Sequence, residues 1–281
     1  MILKKFLVIK IKLNKFTKKF KENKFIASSY RRLIQFSPLQ WAVKDIKNKK
    51  FVKDYEKFVS LLNDSQSRFT IRWSDRYPWL NDNTQTTGFD HHYIYHPAWA
   101  ARIIAKTKPD FHVDISSSLH FCSMTSAFIP VKFFDYRPAK LYLSNLTSDH
   151  ADITALPFED SSIQSLSCMH TIEHIGLGRY GDPLDPDGDL KAIAELKRVL
   201  SLGGNLLFVV PVGKDAKIMF NAHRIYTYNQ IISYFQDLKL VEYSLIPDNP
   251  NLHDFIENAD PKLTERCFYG CGCFWFRKNV I

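Results

Sequence analysis

The 281-residue sequence predicts an α/β fold, a mainly parallel sheet with helices on both faces, preceded by a basic and mostly helical N-terminal extension. Short apolar strand segments alternate with helix-period segments from Phe111 onward, and "NLLFVVPV" (205–212) is the least ambiguous strand among them. Excess positive charge is confined to the start of the chain. Residues 1–57 hold 17 Lys+Arg against 4 Asp+Glu, while the remainder holds 21 against 25, so the body is mildly acidic. That balance gives no support to a nucleic-acid-binding face on the body. Hydrophobic residues at 45%, with 22 Phe, supply a substantial core and exclude disorder throughout.

The elements follow in order. Residues 1–62 form the basic extension, with helical periodicity over 28–62 from Leu33, Ile34, Trp41, Val43, Ile46 and Phe58 to Leu62. The longest apolar run near the start, Phe6 to Ile9, is too short for a signal-peptide core or a membrane span. Basic residues with interspersed aromatics suit peripheral contact with an anionic membrane, and equally a solvated basic helix or tail. Five cysteines without a C-x-x-C pair agree with a reducing, cytoplasmic setting. Residues 63–110 are a loop region leading into the fold, in which Pro97 opens a short helix, "PAWAARIIAKTK". "GFDHHYIYHPAW" (88–99) is a candidate lid, bearing His91, His92 and His96.

The domain proper is expected over 111–281. Strands are expected at "FHVDIS" (111–116), "VKFFD" (131–135), "IQSLSCM" (163–169) and "NLLFVVPV". A helix over "DLKAIAELKRVLSLGG" has Leu190, Ile193, Leu196 and Leu200 on one side and ends at Gly203 and Gly204. The next helix starts at Thr227 with a capping box to Gln230. "LKLVEYSLI" and "CFYGCGCFWF" close the chain as strands, and even spacing places Cys267, Cys271 and Cys273 on one strand face. A thiolate zinc site there lacks the usual ligand spacing. Right-handed crossovers put the strand C-termini, and any ligand crevice, along one edge.

"ADITALPFEDSSIQSLSCMHTIEH" and "ELKRVLSLGGNLLFVVP" resemble the class I S-adenosylmethionine-dependent methyltransferases, as does "AHRIYTYNQIISYF". The order is an acidic residue, Leu-Pro-Phe, Asp-Ser, a strand, Glu-His, Arg-Val-Leu and Gly-Gly. The resemblance covers roughly residues 96–277. "HIGLGRYGDPLDPDGDLKA" and "YGCGCFWF" look like an uncharacterised methyltransferase-like branch, a domain-of-unknown-function family. The resemblance implies a Rossmann-like sandwich and S-adenosylmethionine as cofactor. It implies that Asp135 holds the cofactor ribose, that Asp152 and Ile153 contact the adenine, and that Asp114, Ser116 and Ser118 cradle the methionine moiety. One departure is the first loop, "DISSSLH", which has Ser116, Ser118 and His120 where the family has glycines. A Cβ at a position with positive φ costs about 1 kcal/mol or more.

The histidine-rich turn supplies the catalytic candidates. His170 is the first choice of general base, His174 the second, and Glu173 their partner. Arg179, Tyr180, His223 and Arg224 are candidates for holding a small polar acceptor such as a glycan. The expected reaction is methyl transfer to an acceptor oxygen or nitrogen, with no resident metal. A catalytically inactive interaction module is the alternative, favoured by the serine loop. A metal hydrolase using the H-x-x-E-H pattern of "HTIEH" is less favoured, because that pattern needs a continuous helix. "DPLDPDGD" lacks the ligand pattern and terminal Glu of an EF-hand and reads as an acidic turn whose Asp187 or Asp189 caps the next helix.

Overall fold

The computed structural model describes residues 38–62, 68–249 and 251–279. The chain divides into two compact units, Met1–Thr87 and Gly88–Ile281. The basic segment up to residue 37, and with it the expectation of membrane contact, lies outside the described residues. No described helix is long and apolar enough to cross a membrane.

In the first unit, helix α1 spans Pro38–Ser60. Phe51 and Tyr55, one turn apart, meet Trp73 with ring centroids at 6.1 and 4.8 Å. Trp73 opens a single 3₁₀ turn, Trp73–Asp75, and the described residues 68–87 around it have no other regular structure.

The second unit contains helices α2 (His91–Thr107), α3 (Leu119–Thr125), α4 (Gly188–Val199) and α5 (Tyr228–Tyr234). Its strands are β1 (His112–Ile115), β2 (Val131–Asp135), β3 (Leu146–His150), β4 (Ile163–Met169), β5 (Leu200–Val212), β8 (Leu238–Ile246) and β9 (Gly270–Lys278). They form one sheet in the order β3-β2-β1-β4-β5-β9-β8. The first five are mutually parallel, and β9 runs antiparallel between β5 and β8. A separate two-stranded ribbon pairs β6 (Lys217–Met219) with β7 (His223–Ile225).

Strand alternation builds two cores. On β5, Leu206, Phe208, Val210 and Val212 join Ile193, Leu196 and Val199 of α4 and Ile231 of α5 on one face. Leu207 and Val209 join Trp99, Ile103 and Ile104 of α2 and Phe121 of α3 on the other. The expected Rossmann-like sandwich, with helices on both faces of a mostly parallel sheet, is the observed one.

Several local expectations need correction. Helix α2 begins at His91 rather than Pro97, because the Asp90 side chain accepts from Tyr93 N at 3.2 Å and caps it. Pro97 therefore lies inside the helix, and its missing N–H leaves the Tyr93 carbonyl without its helical donor. The segment suggested as a lid is the first half of this anchored helix. Trp99 Nε1 donates to Glu242 Oε1 of β8 at 2.7 Å, and Tyr95 stacks on Phe255. Helix α4 stops at Val199, five residues before the expected end. Leu200 pairs with Ile163, and the next pair is Ser165 with Asn205, so the intervening residues form a bulge that uses Gly203 at φ +73. Leu190 is 40% exposed, and Ala192 and Val199 complete the buried face instead. Cys271 and Cys273 share one core, whereas Cys267 precedes β9 and lies in the opposite one.

The capping box at Thr227 is present, with Gln230 N donating to Thr227 Oγ1 and Thr227 N donating to Gln230 Oε1. Substituting Thr227→Ala should cost about 1 kcal/mol, lowering the urea midpoint with an unchanged m-value. An unshifted midpoint would show that α5 is held by packing alone.

Candidate active site

The strand order reverses between β1 and β4, and in open parallel sheets ligands bind outside the strand C-termini at that point. A relay of buried polar groups fixes the backbone there. His112 reaches Ser165 Oγ through Nδ1 and Ser167 Oγ through Nε2, both at 2.8 Å. The Ser167 hydroxyl donates to Asp114 Oδ2, and Ser117 N donates to Asp114 Oδ1 at 3.0 Å. Because Ser167 gives its proton to Asp114, it accepts from His112 Nε2–H, which leaves Nδ1 to accept from Ser165. Burial drives His112 down to about 3 and raises the Asp114 carboxyl.

The loop after β1 continues from this relay. Ser116 takes φ +55, the left-handed conformation that favours glycine. Its N–H donates to Phe134 O at 2.8 Å, and its carbonyl accepts from Thr171 Oγ1 at 2.8 Å. Met169 N donates to Ser117 Oγ at 3.0 Å, tying the loop to the end of β4. Ser118 has φ −133 and stands at the N-cap of α3, so of these two serines only Ser116 bears the glycine-type strain.

A cleft of about 310 Å³ opens over this loop, and its walls include Ser116, Ser117, Asp135, Asp152, Ile153 and His174. Asp135 Oδ1 accepts from Arg137 N at 2.7 Å. Asp152 Oδ1 accepts from Thr154 N and Oγ1 at 2.8 and 2.7 Å. Four of the six expected cofactor residues thus line one cleft. Asp114 and Ser118 do not: Asp114 is fully buried beneath the loop, and Ser118 begins α3. Ser117 was missed, and only its place between two flagged serines hinted at it.

A second cavity of about 540 Å³ shares His170, His174 and Tyr180 with the first and adds Tyr93, Glu173, Arg179, His223 and Tyr269. His170 sits at φ +56 with its side chain only 4% exposed. The His92 and Tyr93 rings stack on it at 5.2 and 5.5 Å, and His96 meets it edge-on at 5.1 Å. Its Nδ1–H donates to Glu173 Oε1 at 2.8 Å, while its Nε2 is buried without a partner. Burial works to raise the fully buried Glu173 carboxyl, but His170, His174 and the hydrogen bonds it accepts together outweigh that and hold it below the usual range. His174 Nδ1–H donates to Ala222 O at 2.6 Å, with Arg179 Nη1 3.1 Å from the same nitrogen.

The histidines of "HTIEH" flank a short 3₁₀ turn, Ile172–His174, with His170 just past the end of β4, and so do not sit on the continuous helix that a zinc-protease motif needs. Arg224 also departs from its expected role. It is 5% exposed, donates to Ile175 O and Pro186 O, and faces Asp189 at 3.5 Å. The acidic turn is a turn: Asp182 accepts from the N–H groups of Gly176 and Tyr180, and Asp185 from that of Asp187. Gly176 at φ +78 is required, since a Cβ there would lie 2.0 Å from Asp185 O. Asp187 holds the N-cap position without a capping bond, and Asp189 accepts from the Tyr226 hydroxyl.

Sheet order and cleft position together define a Rossmann-like sandwich with its ligand crevice at the switch point. Residues 156–244, from the Leu-Pro-Phe turn into β8, match the family model "Caenorhabditis protein of unknown function, DUF268". Among curated proteins, none matches the chain in sequence. Solved structures similar to it include an N-methyltransferase, NodS from Bradyrhizobium japonicum, in complex with S-adenosylhomocysteine. It shares 13% identity and covers 72% of this chain and 92% of its own, with a TM-score of 0.46. Another is the 1,6-didemethyltoxoflavin-N1-methyltransferase of Burkholderia thailandensis, at 11% identity, 87% and 91% coverage and a TM-score of 0.45. A third is the YcgJ protein of Bacillus subtilis, at 12% identity, 66% and 100% coverage and a TM-score of 0.43.

His112 makes the relay sensitive to pH. Its value of about 3 in the folded chain lies below the ordinary 6.5, so between these values the unfolded chain binds a proton that the native one excludes. This stabilising contribution is complete above pH 6.5 and is lost as pH falls, at up to about 1.4 kcal/mol per pH unit. Asp114, raised by burial, works in the opposite direction at the lower end. Urea unfolding of the His112→Asn variant should show a shallower loss of stability between pH 6.5 and 5 than the parent. Parallel curves would remove His112 from the account. Substituting Ser116→Gly should relieve the left-handed strain, net of glycine's greater freedom when unfolded, and raise stability by up to about 1 kcal/mol. A loss of stability would show that the Ser116 hydroxyl outweighs the strain.

Proposed function

We propose that the cleft binds S-adenosylmethionine and that the protein transfers its methyl group to an oxygen or nitrogen of a small polar acceptor such as a glycan. One observation carries this reading: the loop after β1, Asp135 at the end of β2 and Asp152 with Ile153 after β3 converge on a single cleft at the switch point. The donor set suits the cofactor. Asp135 accepts from the ribose hydroxyls, Asp152 and the Ile153 backbone flank the adenine, and the Ser116–Ser117 backbone faces the methionine end. The bound cofactor supplies an electrophilic methyl group on a sulfonium sulfur.

The chain's part is alignment, exclusion of water and removal of the acceptor's proton. The second cavity is the acceptor site, with Arg179, Tyr180 and His223 as its polar contacts. His174 becomes the preferred base over His170. Its Nδ1–H is fixed by Ala222 O, its Nε2 carries the lone pair with Arg179 Nη1 3.4 Å and Glu173 Oε1 3.7 Å away, and its ring lines both cavities. His170 instead is enclosed by α2.

Calorimetric titration tests the reading. The full chain should bind S-adenosylmethionine and S-adenosylhomocysteine one-to-one in the micromolar range. Asp135→Ala should weaken both by about 10- to 100-fold, the worth of a charge-assisted hydrogen-bond pair. His174→Gln should keep that affinity and, once an acceptor is found, lose about 100-fold or more in turnover. A folded chain that binds neither ligand would exclude the simple enzyme and favour an interaction module, the reading that the left-handed serine supports.

A further inference from the structure

We propose that His92, His170 and Cys271 form a binding site for one zinc-type divalent transition-metal ion, where the first turn of α2, the end of β4 and the start of β9 meet. One ligand atom from each residue lies within 4.8 Å of the others. Zinc holds nitrogen at about 2.0–2.1 Å and sulfur at about 2.3 Å, so side-chain shifts of about 1 Å close the shell. His92, in the first turn of its helix and the least buried of the three, is placed to make that shift. Two imidazoles and a thiol suit zinc and disfavour magnesium or calcium, which take oxygen ligands.

The second line of support is what the geometry costs without an ion. His170 is held in the left-handed region, and its Nε2 is buried with no partner. A strained backbone and an orphaned buried nitrogen each cost free energy, and a merely packed histidine would return nothing for them. The other ring nitrogen is already used as a ligating histidine uses it. Nδ1–H donates to Glu173, itself 1% exposed, which fixes the tautomer and points the lone pair of Nε2 away from the carboxylate. His96, the next histidine on the same helix face, repeats the arrangement, with Nδ1–H on His92 O at 2.6 Å and a buried, unpartnered Nε2. Its ring lies 5.1 Å from that of His170, beside the site.

This site is neither the "HTIEH" pair nor the three-cysteine face weighed from the sequence, and it departs from the expectation of no resident metal. It also stands independently of methyl transfer. An ion there would tie α2 to the β4 tip at the wall shared by the two cavities, and cofactor binding can succeed or fail without it.

The test uses the full chain after chelation and gel filtration, titrated with cobalt(II) alone and then with zinc. One equivalent of cobalt should give a thiolate charge-transfer band and the visible bands of a tetrahedral ion, and zinc should abolish both. Cys271→Ser should remove the charge-transfer band, and His92→Ala, at the least buried ligand, should weaken binding at least about 100-fold. Glu173→Gln should weaken it about 10- to 100-fold, as loss of an outer-shell carboxylate does. His174→Ala should still take up one equivalent. A folded parent without a stoichiometric thiolate–cobalt signal would overturn the proposal, as would uptake unchanged in both the Cys271 and His92 variants.

Discussion

The buried hydrogen-bond relay from His112 through Ser167 and Asp114 to the Ser117 backbone is the constraint on which the site depends. A carboxylate with 0% exposure is tolerated only where its oxygens are occupied, since an uncompensated buried charge costs several kcal/mol. Asp114 meets that condition by accepting from the loop that leaves its own strand and from the neighbouring strand β4. The relay therefore couples the spacing of β1 and β4 to the path of the loop above them. Ser116 can occupy its left-handed conformation because Phe134 O and Thr171 Oγ1 hold the residue on both sides.

Much of this was legible in the sequence, for identifiable reasons. Strands β2, β4 and β8 are apolar runs closed by polar or turn residues, and their observed bounds are the expected ones. Strand β3 was not seen, because it is an edge strand with one buried residue in five and no apolar period. The β6–β7 ribbon has three residues in each strand, too few to leave a pattern. Pro97 misplaced the start of α2 because a first-turn proline is far commoner than an internal one. In the site, order along the chain pointed to Asp135 and Asp152, which line the cleft and whose backbone partners lie within two residues. It also pointed to Asp114 and Arg224, which line neither cavity because distant strands and loops bury them. The meeting of His92, His170 and Cys271 depends on three separate elements, so no spacing rule could announce it.

The sequence warning about the serine-rich loop was also sharpened. Of the three residues that replace glycines, His120 is exposed in α3 and Ser118 is extended, leaving Ser116 as the one left-handed position. A serine there costs less than a bulky residue would, and its hydroxyl has Phe134 O within reach at 3.2 Å. The departure from glycine is therefore one residue deep rather than a dismantled loop.

Two left-handed non-glycine residues, Ser116 and His170, stand at the ends of the adjacent strands β1 and β4 and both line the cleft. Their strain is held differently. Ser116 is fixed by hydrogen bonds to backbone and threonine, whereas His170 is fixed by the rings of α2 and by Glu173. The wall between the two cavities consequently depends on how α2 is seated, and α2 is anchored far along its length by Trp99 on Glu242. The two histidines of the turn are thus held by different parts of the fold, His170 by α2 and Glu173, and His174 by the Ala222 carbonyl with Arg179 beside it.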